Sequence, residues 1–396
     1  MLKDYNAPKS TVSLSLLLII GSCLSVLIQY IAMPYGNATL ISLSNRALLV
    51  LWIVVIGMAV FQRLIKPIPG ELGSLLLIVI FSSVSWMIAV LNKPSEAISN
   101  ALRMAGFLIF PLMLAYKDFF RIDDRAKSVV YMFNALYSLV FIFLYHTDKR
   151  HAYEGGYGLS HITEVTLGYS NPNQAAMFLF LCVIGLVSGI FYTKSKYMRL
   201  FLIADGGYLA WIMLQTESRA TILLFAAFIV LSLLAVKREI SRRWINFAFM
   251  VPLSYVLLLP LFSFLNWDFV FLNETFFNGR EKIFLRYFDQ LNVVTFLFGD
   301  MNTFAFENLH NGYIAISASA GALTCVSYVK FLRSNLVWNR PTKTAPVSER
   351  IAFVGFLCAV MYTCAEAAFF VGGSHYAFLL FSLFVLFARS SPTSNT

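Results

Sequence analysis

The 396-residue sequence predicts an all-α, polytopic integral membrane protein, and three observations carry that prediction. Hydrophobic residues make up 59% of the chain and charged residues only 13%, too few polar side chains to cover a globule of this size in water. The apolar residues come in continuous runs of about 17 to 22, the length that crosses roughly 30 Å of hydrocarbon at 1.5 Å per residue. Hydrophobicity does not alternate within the runs, so helices and not barrel strands must satisfy the backbone in lipid.

Taken in order, the spans fall near residues 13–33, 45–62, 72–91, 98–116, 128–145, 173–193, 197–215, 219–236, 244–264, 312–331, 350–369 and 374–389, about twelve transmembrane helices in one transmembrane domain over 1–396. The first run is too long for a signal peptide and lacks a convincing small-residue cleavage site, so it reads as a retained helix. With a cytoplasmic N-terminus, the inside segments hold 21 of the 30 basic residues and the outside segments eight, with Arg103 inside a span. That bias predicts both termini in the cytoplasm and the two long segments, 146–172 and 265–311, on the external side, where any chemistry must occur. The same bias accounts for the formal charge of +10 without nucleic acid, for which no basic stripe with interleaved exposed aromatics exists. All five cysteines lie inside apolar runs and read as small packing residues.

Four short patterns could carry chemistry. Leu167-Gly168-Tyr169-Ser170-Asn171-Pro172-Asn173-Gln174 ends a loop and starts a helix, for which capping by itself is a sufficient account. Thr216-Glu217-Ser218-Arg219 separates two apolar runs by almost nothing, with Ser218 as N-cap; Arg219 beside free helix N–H groups would make an anion site, and its competing reading is a cation reaching to lipid headgroups. Asn278-Gly279-Arg280-Glu281 has the spacing of a capped helix start at Arg280. The helix would carry Arg280, Glu281, Lys282, Arg286 and Asp289 on one side and Ile283, Phe284, Tyr287, Phe288 and Leu291 on the other, an amphipathic helix on the membrane surface. Lys282 and Arg286 fit a solvated face, but Arg280 in the first turn opposes the helix dipole unless an anion compensates. Finally, His310-Asn311-Gly312-Tyr313 ends the long loop just where an apolar helix begins, which puts a titratable imidazole at the membrane boundary; a helix cap is its plainer role.

Asp205 and Glu366 are carboxylates within predicted spans, expensive there unless paired or facing a wet cavity. No histidine pairing, carboxylate spacing or Asp-x-Asp pair suggests a metal, and no glycine-rich phosphate loop or Gly-x-Ser-x-Gly turn occurs, so no metal and no cofactor is expected.

Together, Asn171-Pro172-Asn173 before a span, Ser218-Arg219 at a span start, Gly279-Arg280 in the long loop and His310-Asn311-Gly312-Tyr313 at its end resemble the Wzy/O-antigen ligase superfamily in order and spacing, over about residues 165–325. The resemblance implies a GT-C-type glycosyltransferase of the bacterial inner membrane that uses an undecaprenyl-pyrophosphate-linked oligosaccharide on the periplasmic or external side. His310 would be its catalytic residue, and Arg219 and Arg280 would contact the pyrophosphate. Asn171, Asn173, Arg286, Asn311 and Tyr313 complete the expected substrate-binding set. The loop wording favours a polymerase of O-antigen or capsular repeat units; the alternative is a ligase that moves the finished chain to lipid A core. A flippase and a chain-length regulator are the protein partners this implies. A transporter of the same lipid-linked sugar would also need many helices and intramembrane charges such as Arg103, Asp205 and Glu366, but it would show balanced halves, and no internal repeat is found.

Overall fold

A computed structural model describes residues 9–61, 69–117, 122–151, 164–169, 171–265, 270–271, 274–275, 280–302, 309–366 and 374–388. Nine long helices come first: α1 (Lys9–Ala32), α2 (Ala38–Phe61), α3 (Pro69–Asn92), α4 (Ala97–Ala115), α5 (Asp124–Tyr145), α6 (Pro172–Tyr192), α7 (Lys196–Leu214), α8 (Arg219–Lys237) and α9 (Arg242–Phe264). A two-residue ladder of β1 (Val270–Phe271) and β2 (Glu274–Thr275) and two short helices, α10 (Arg280–Asp289) and α11 (Val293–Phe298), follow. The chain then forms α12 (Gly312–Trp338), α13 (Val347–Tyr362) and α14 (Ser374–Val385).

Among the described residues ten helices, α1 to α9 and α12, are long and apolar enough to cross a membrane. The predicted spans 350–369 and 374–389 correspond to α13 and α14, which have only 16 and 12 residues. This corrects one expectation: the helix predicted to run to 369 stops at Tyr362. Thr363, Cys364 and Ala365 then turn tightly, each backbone N–H bonding the carbonyl three residues earlier, and Glu366 lies beyond the turn, not inside a helix. Such a break is tolerated at depth only where protein or water surrounds it. The whole of α13 from Ser348 to Tyr362 is buried, apart from Glu349 at its start, and α14 is buried from Tyr376 onward. Around this centre, α2, α3, α7, α8 and α9 leave large apolar side chains such as Val50, Leu76, Leu200, Leu233 and Leu257 exposed, as a lipid-facing surface requires.

Hydrogen bonds fix which helix ends share a side. Lys117, just after α4, reaches Asn335 late in α12; Lys127 at the start of α5 pairs with Glu349 at the start of α13; Arg350 donates to carbonyls at the end of α8. Tyr192 at the end of α6 donates to the Asp124 carbonyl. These contacts define a basic end. The opposite end gathers the starts of α6, α8 and α12, the end of α13, and α10. The described parts of both long segments thus lie at one end of the bundle.

α12 is broken in the middle. Gly321 has φ +87, and the helix resumes after it. α11 seats its C-terminal Gly299 (φ +77) against that break: a β-carbon on Gly299 would stand 2.6 Å from the Ala320 and Gly321 nitrogens. The carbonyls released at the break find partners, Ala318 from the Asp300 N–H at 2.7 Å and Ser319 from the Ser85 hydroxyl at 2.7 Å. Only glycine fits either position.

Candidate functional site

His310 is held by its neighbours in sequence. Asn311 is the N-cap of α12, its side-chain oxygen accepting from the Tyr313 N–H at 2.9 Å and the Ile314 N–H at 3.2 Å. Its amide donates to the Pro252 carbonyl at 3.2 Å and to the Cys364 carbonyl at 3.4 Å. The Gly312 N–H donates to the Thr363 carbonyl at 2.7 Å. The start of α12 is therefore sewn to the turn that ends α13. His310, the residue before this cap, takes a left-handed backbone at φ +46, which turns its side chain back toward that turn. Its Nδ1 stands 3.7 Å from Glu366 Oε1, within ion-pair range and longer than a hydrogen bond. Both side chains keep a face to solvent, 23% for His310 and 13% for Glu366.

Arg280 begins α10, whose Phe284 and Tyr287 are buried against Leu259 of α9 and Ile314, Ala315 and Ala318 of α12. The fully buried face pins the short helix, so its first residue points back at α9, where Tyr255 hydrogen-bonds the guanidinium. Burial works against the Arg280 charge, but the fields of Tyr255 and Glu366, the Tyr255 hydrogen bond and Cys364 outweigh it and hold its pKa above the ordinary value. Glu366 thus lies within electrostatic reach of both His310 and Arg280. A helix-start cation has the compensating carboxylate that its dipole position demands.

The third approach comes from α8. Glu217 is left-handed (φ +55), and Ser218 occupies the N-cap position without making the cap hydrogen bond expected of it. Its hydroxyl instead meets Thr221 Oγ1 at 3.0 Å; Thr221 meets the fully buried Tyr362 hydroxyl at 3.0 Å, and Tyr362 donates to the Asn173 carbonyl at 3.3 Å. Since Tyr362 gives its proton to Asn173, Thr221 must give its own to Tyr362 and Ser218 to Thr221, a one-way chain. Tyr362 feels the charges of both Glu366 and Arg280. Arg219 follows Ser218 and is part-exposed at this edge. Gln174 donates to the Tyr376 hydroxyl at 3.3 Å, and Tyr376 feels Glu366 as well.

The sequence-predicted residues therefore separate into groups. His310 and Arg280 converge on Glu366, Arg219 sits at the rim beside Ser218, and Asn173 joins through its carbonyl. Asn171 caps α6, accepting from the Gln174 N–H at 2.8 Å. Asn311 is fully buried, with its side chain given to backbone, and Tyr313 is 8% exposed, its hydroxyl bonded to the Phe249 carbonyl. Arg286 is exposed on the outer face of α10, and Asn278 and Gly279 lie outside the described residues. Sequence reasoning did not place Glu366, Tyr255, Thr221 or Tyr362 in the site. Glu366 carried a usable signal, a carboxylate in an apolar run; tyrosines near span ends carry none. Asp205 and Arg103 belong elsewhere, bonded to Ser138 and Asn100 respectively. Among the described residues no group of three His, Cys, Asp or Glu side chains is arranged to hold a metal ion.

The arrangement can move a proton at His310, spread the resulting positive charge onto Glu366, and neutralise an anion beside Arg280. Comparison with family models, curated proteins and solved structures finds no match for this chain.

Proposed function

We propose that this chain is a membrane glycosyltransferase that polymerises undecaprenyl-pyrophosphate-linked oligosaccharide repeat units into O-antigen or capsular polysaccharide, at the external face of a bacterial cytoplasmic membrane that its helices cross about twelve times. The observation that carries the reading is the meeting of an imidazole, a carboxylate and a guanidinium at the break after α13, at the end of the bundle opposite the basic one. The order of motifs that resembles the Wzy/O-antigen ligase superfamily supports it from the sequence side.

In this mechanism His310 Nδ1 is turned to Glu366, so Nε2 meets the acceptor sugar hydroxyl. As the hydroxyl oxygen bonds to the donor's anomeric carbon, its proton passes to Nε2, and Glu366 stabilises the imidazolium. The anomeric C–O bond to the pyrophosphate breaks with its electron pair leaving on the phosphate oxygen, where Arg280 and Arg219 offset the developing charge. Fixed donors at such a point are worth more than in water because the site is partly desolvated. One displacement inverts the anomeric centre. That Asp205 and Arg103 lie apart from this cluster, each with its own partner, favours one reaction centre over a charge-lined transport path.

The test uses the purified full chain, a synthetic undecaprenyl-pyrophosphate repeat unit and a chelator, with glycan length read on a gel. The expected products carry several repeats on the prenyl carrier and form in the presence of chelator. His310→Gln should lower turnover by roughly 10² to 10⁴, the usual contribution of a general base. A Gln variant near the wild-type rate would remove the base role from His310. Transfer only to added lipid A core would make the enzyme a ligase.

A further inference from the structure

A groove of about 530 Å³ runs along the pair α9 and α12, closed above by α10 and α11. Leu253 and Val256 of α9, Phe288 of α10 and Leu291 just after it, and Val326 and Val329 of α12 form its apolar wall. From Ala322 to Arg333, both on that wall, the second part of α12 rises roughly 17 Å at 1.5 Å per residue, and beyond the break at Gly321 the wall continues along Tyr313, Ile314 and Ser317. The groove therefore runs past the break in α12, with one end under α10 and the other at the basic end.

Its charge is one-sided. Among the described residues the charged ones that line it are Lys330 and Arg333, both exposed and both at the foot. Arg333 Nε donates to Asn246 Oδ1 at 2.8 Å, which ties that foot to the start of α9, where Arg242 and Arg243 are also exposed. The nearby carboxylate Glu239 is engaged by Arg340 at 3.5 Å. At the upper end neither His310, Arg280 nor Glu366 lines the groove, and Phe284 packs with Ile314 and Ala315 between the two spaces. An amphiphile lying here must put its anionic group at the foot, the reverse of a donor whose pyrophosphate meets Arg280.

We infer that the groove between α9 and α12 binds an anionic phospholipid, its phosphate between Lys330 and Arg333 and an acyl chain lying along α12 beneath α10. Two cations at the edge of the hydrocarbon attract an anionic headgroup, while the apolar wall above them takes the chain. The lipid supports Tyr287, Phe288 and Leu291 from below and so braces the helix whose first residue is Arg280. This inference does not depend on the transferase reading.

Delipidated full-length protein is incorporated into nanodiscs of neutral phosphatidylcholine and titrated with dioleoyl phosphatidylglycerol, followed by thermal midpoint and by native mass spectrometry. The wild type should bind phosphatidylglycerol and gain midpoint, while added phosphatidylcholine gives neither. The double variant K330Q/R333Q should bind about thirtyfold more weakly, since each basic residue beside an anionic headgroup contributes roughly fivefold. Lys196→Gln, an exposed cation at the same end off the groove, should bind as wild type. Val326→Trp, which fills the exposed wall and keeps both cations, should also lose binding, so the inference can be judged even where the double variant is unstable. Undiminished phosphatidylglycerol binding in Val326→Trp or in a folded double variant would overturn it, as would equal binding of both phospholipids. Displacement of the bound phospholipid by undecaprenyl phosphate would also overturn it, by giving the groove to the prenyl carrier.

Discussion

At the basic end of the bundle Lys117, Lys127 and Arg350 are 4%, 2% and 7% exposed, and each is matched inside the protein: Lys117 to Asn335 at 2.9 Å, Lys127 to Glu349 at 2.7 Å, Arg350 to the Ala235 carbonyl at 2.9 Å. At the opposite end Arg280 and His310 keep a face to solvent beside Glu366, and Arg219 is part-exposed at the rim next to Ser218. The same residue types thus serve two purposes. Buried cations with internal partners close the bundle by joining α4 to α12, α5 to α13 and α8 to α13. The part-exposed guanidinium of Arg280 and imidazole of His310 beside Glu366 are held in place yet reachable by a ligand. Substitution should then unfold at one end and inactivate at the other.

The largest expected effect tests the structural half. Lys127→Ala leaves Glu349 with its partner gone at a mostly buried site, and breaking a buried pair from one side costs roughly 3 to 5 kcal/mol. The measurement is the thermal midpoint in detergent. A folded Lys127→Ala protein that has lost only activity would erase the contrast between the ends.

Next comes Arg280→Ala, which should lower glycan transfer about 10²- to 10³-fold, the scale for one preorganised electrostatic donor, with an unchanged thermal midpoint. Arg280→Lys should recover little, because a point charge lacks the guanidinium's fork toward Tyr255 and a phosphate together. Full activity in the Ala variant would return Arg280 to the solvated face that Lys282 and Arg286 occupy.

The smallest effect sharpens the comparison within the site end. Glu217 and His310 precede the N-caps of α8 and α12 with φ of +55 and +46. Glu217 is exposed. Its replacement by Gly relieves a left-handed backbone and should raise stability by up to about 1 kcal/mol without loss of activity. A lower midpoint, read by thermal melting, would mean that the Glu217 side chain contributes more than its backbone costs.

Much of the fold could be read directly. Ten of the predicted apolar runs are helices long enough to cross a membrane, α6 starts within a residue of the Asn171-Pro172 signal, α8 and α10 start at Arg219 and Arg280, and α12 starts at Gly312. These features are local: apolar length, proline at a first turn and an Asx cap act within a few residues of themselves. They also put His310, Arg219 and Arg280 near helix starts.

What the sequence by itself determined, then, is a many-helix membrane protein with its candidate site residues at helix boundaries. Only the tertiary structure decided that the run at 350–369 breaks after Tyr362, that Glu366 beyond the break faces His310 and Arg280, that Asn311 is spent on the carbonyls of Pro252 and Cys364, and that α12 divides at Gly321 over α11. Each of these depends on a partner far away in the chain. A hydropathy run does not record where its helix will stop when a neighbouring helix start can bind its last carbonyls instead of lipid having to cover them. A carboxylate in an apolar stretch announces that it needs company, and packing chooses the company.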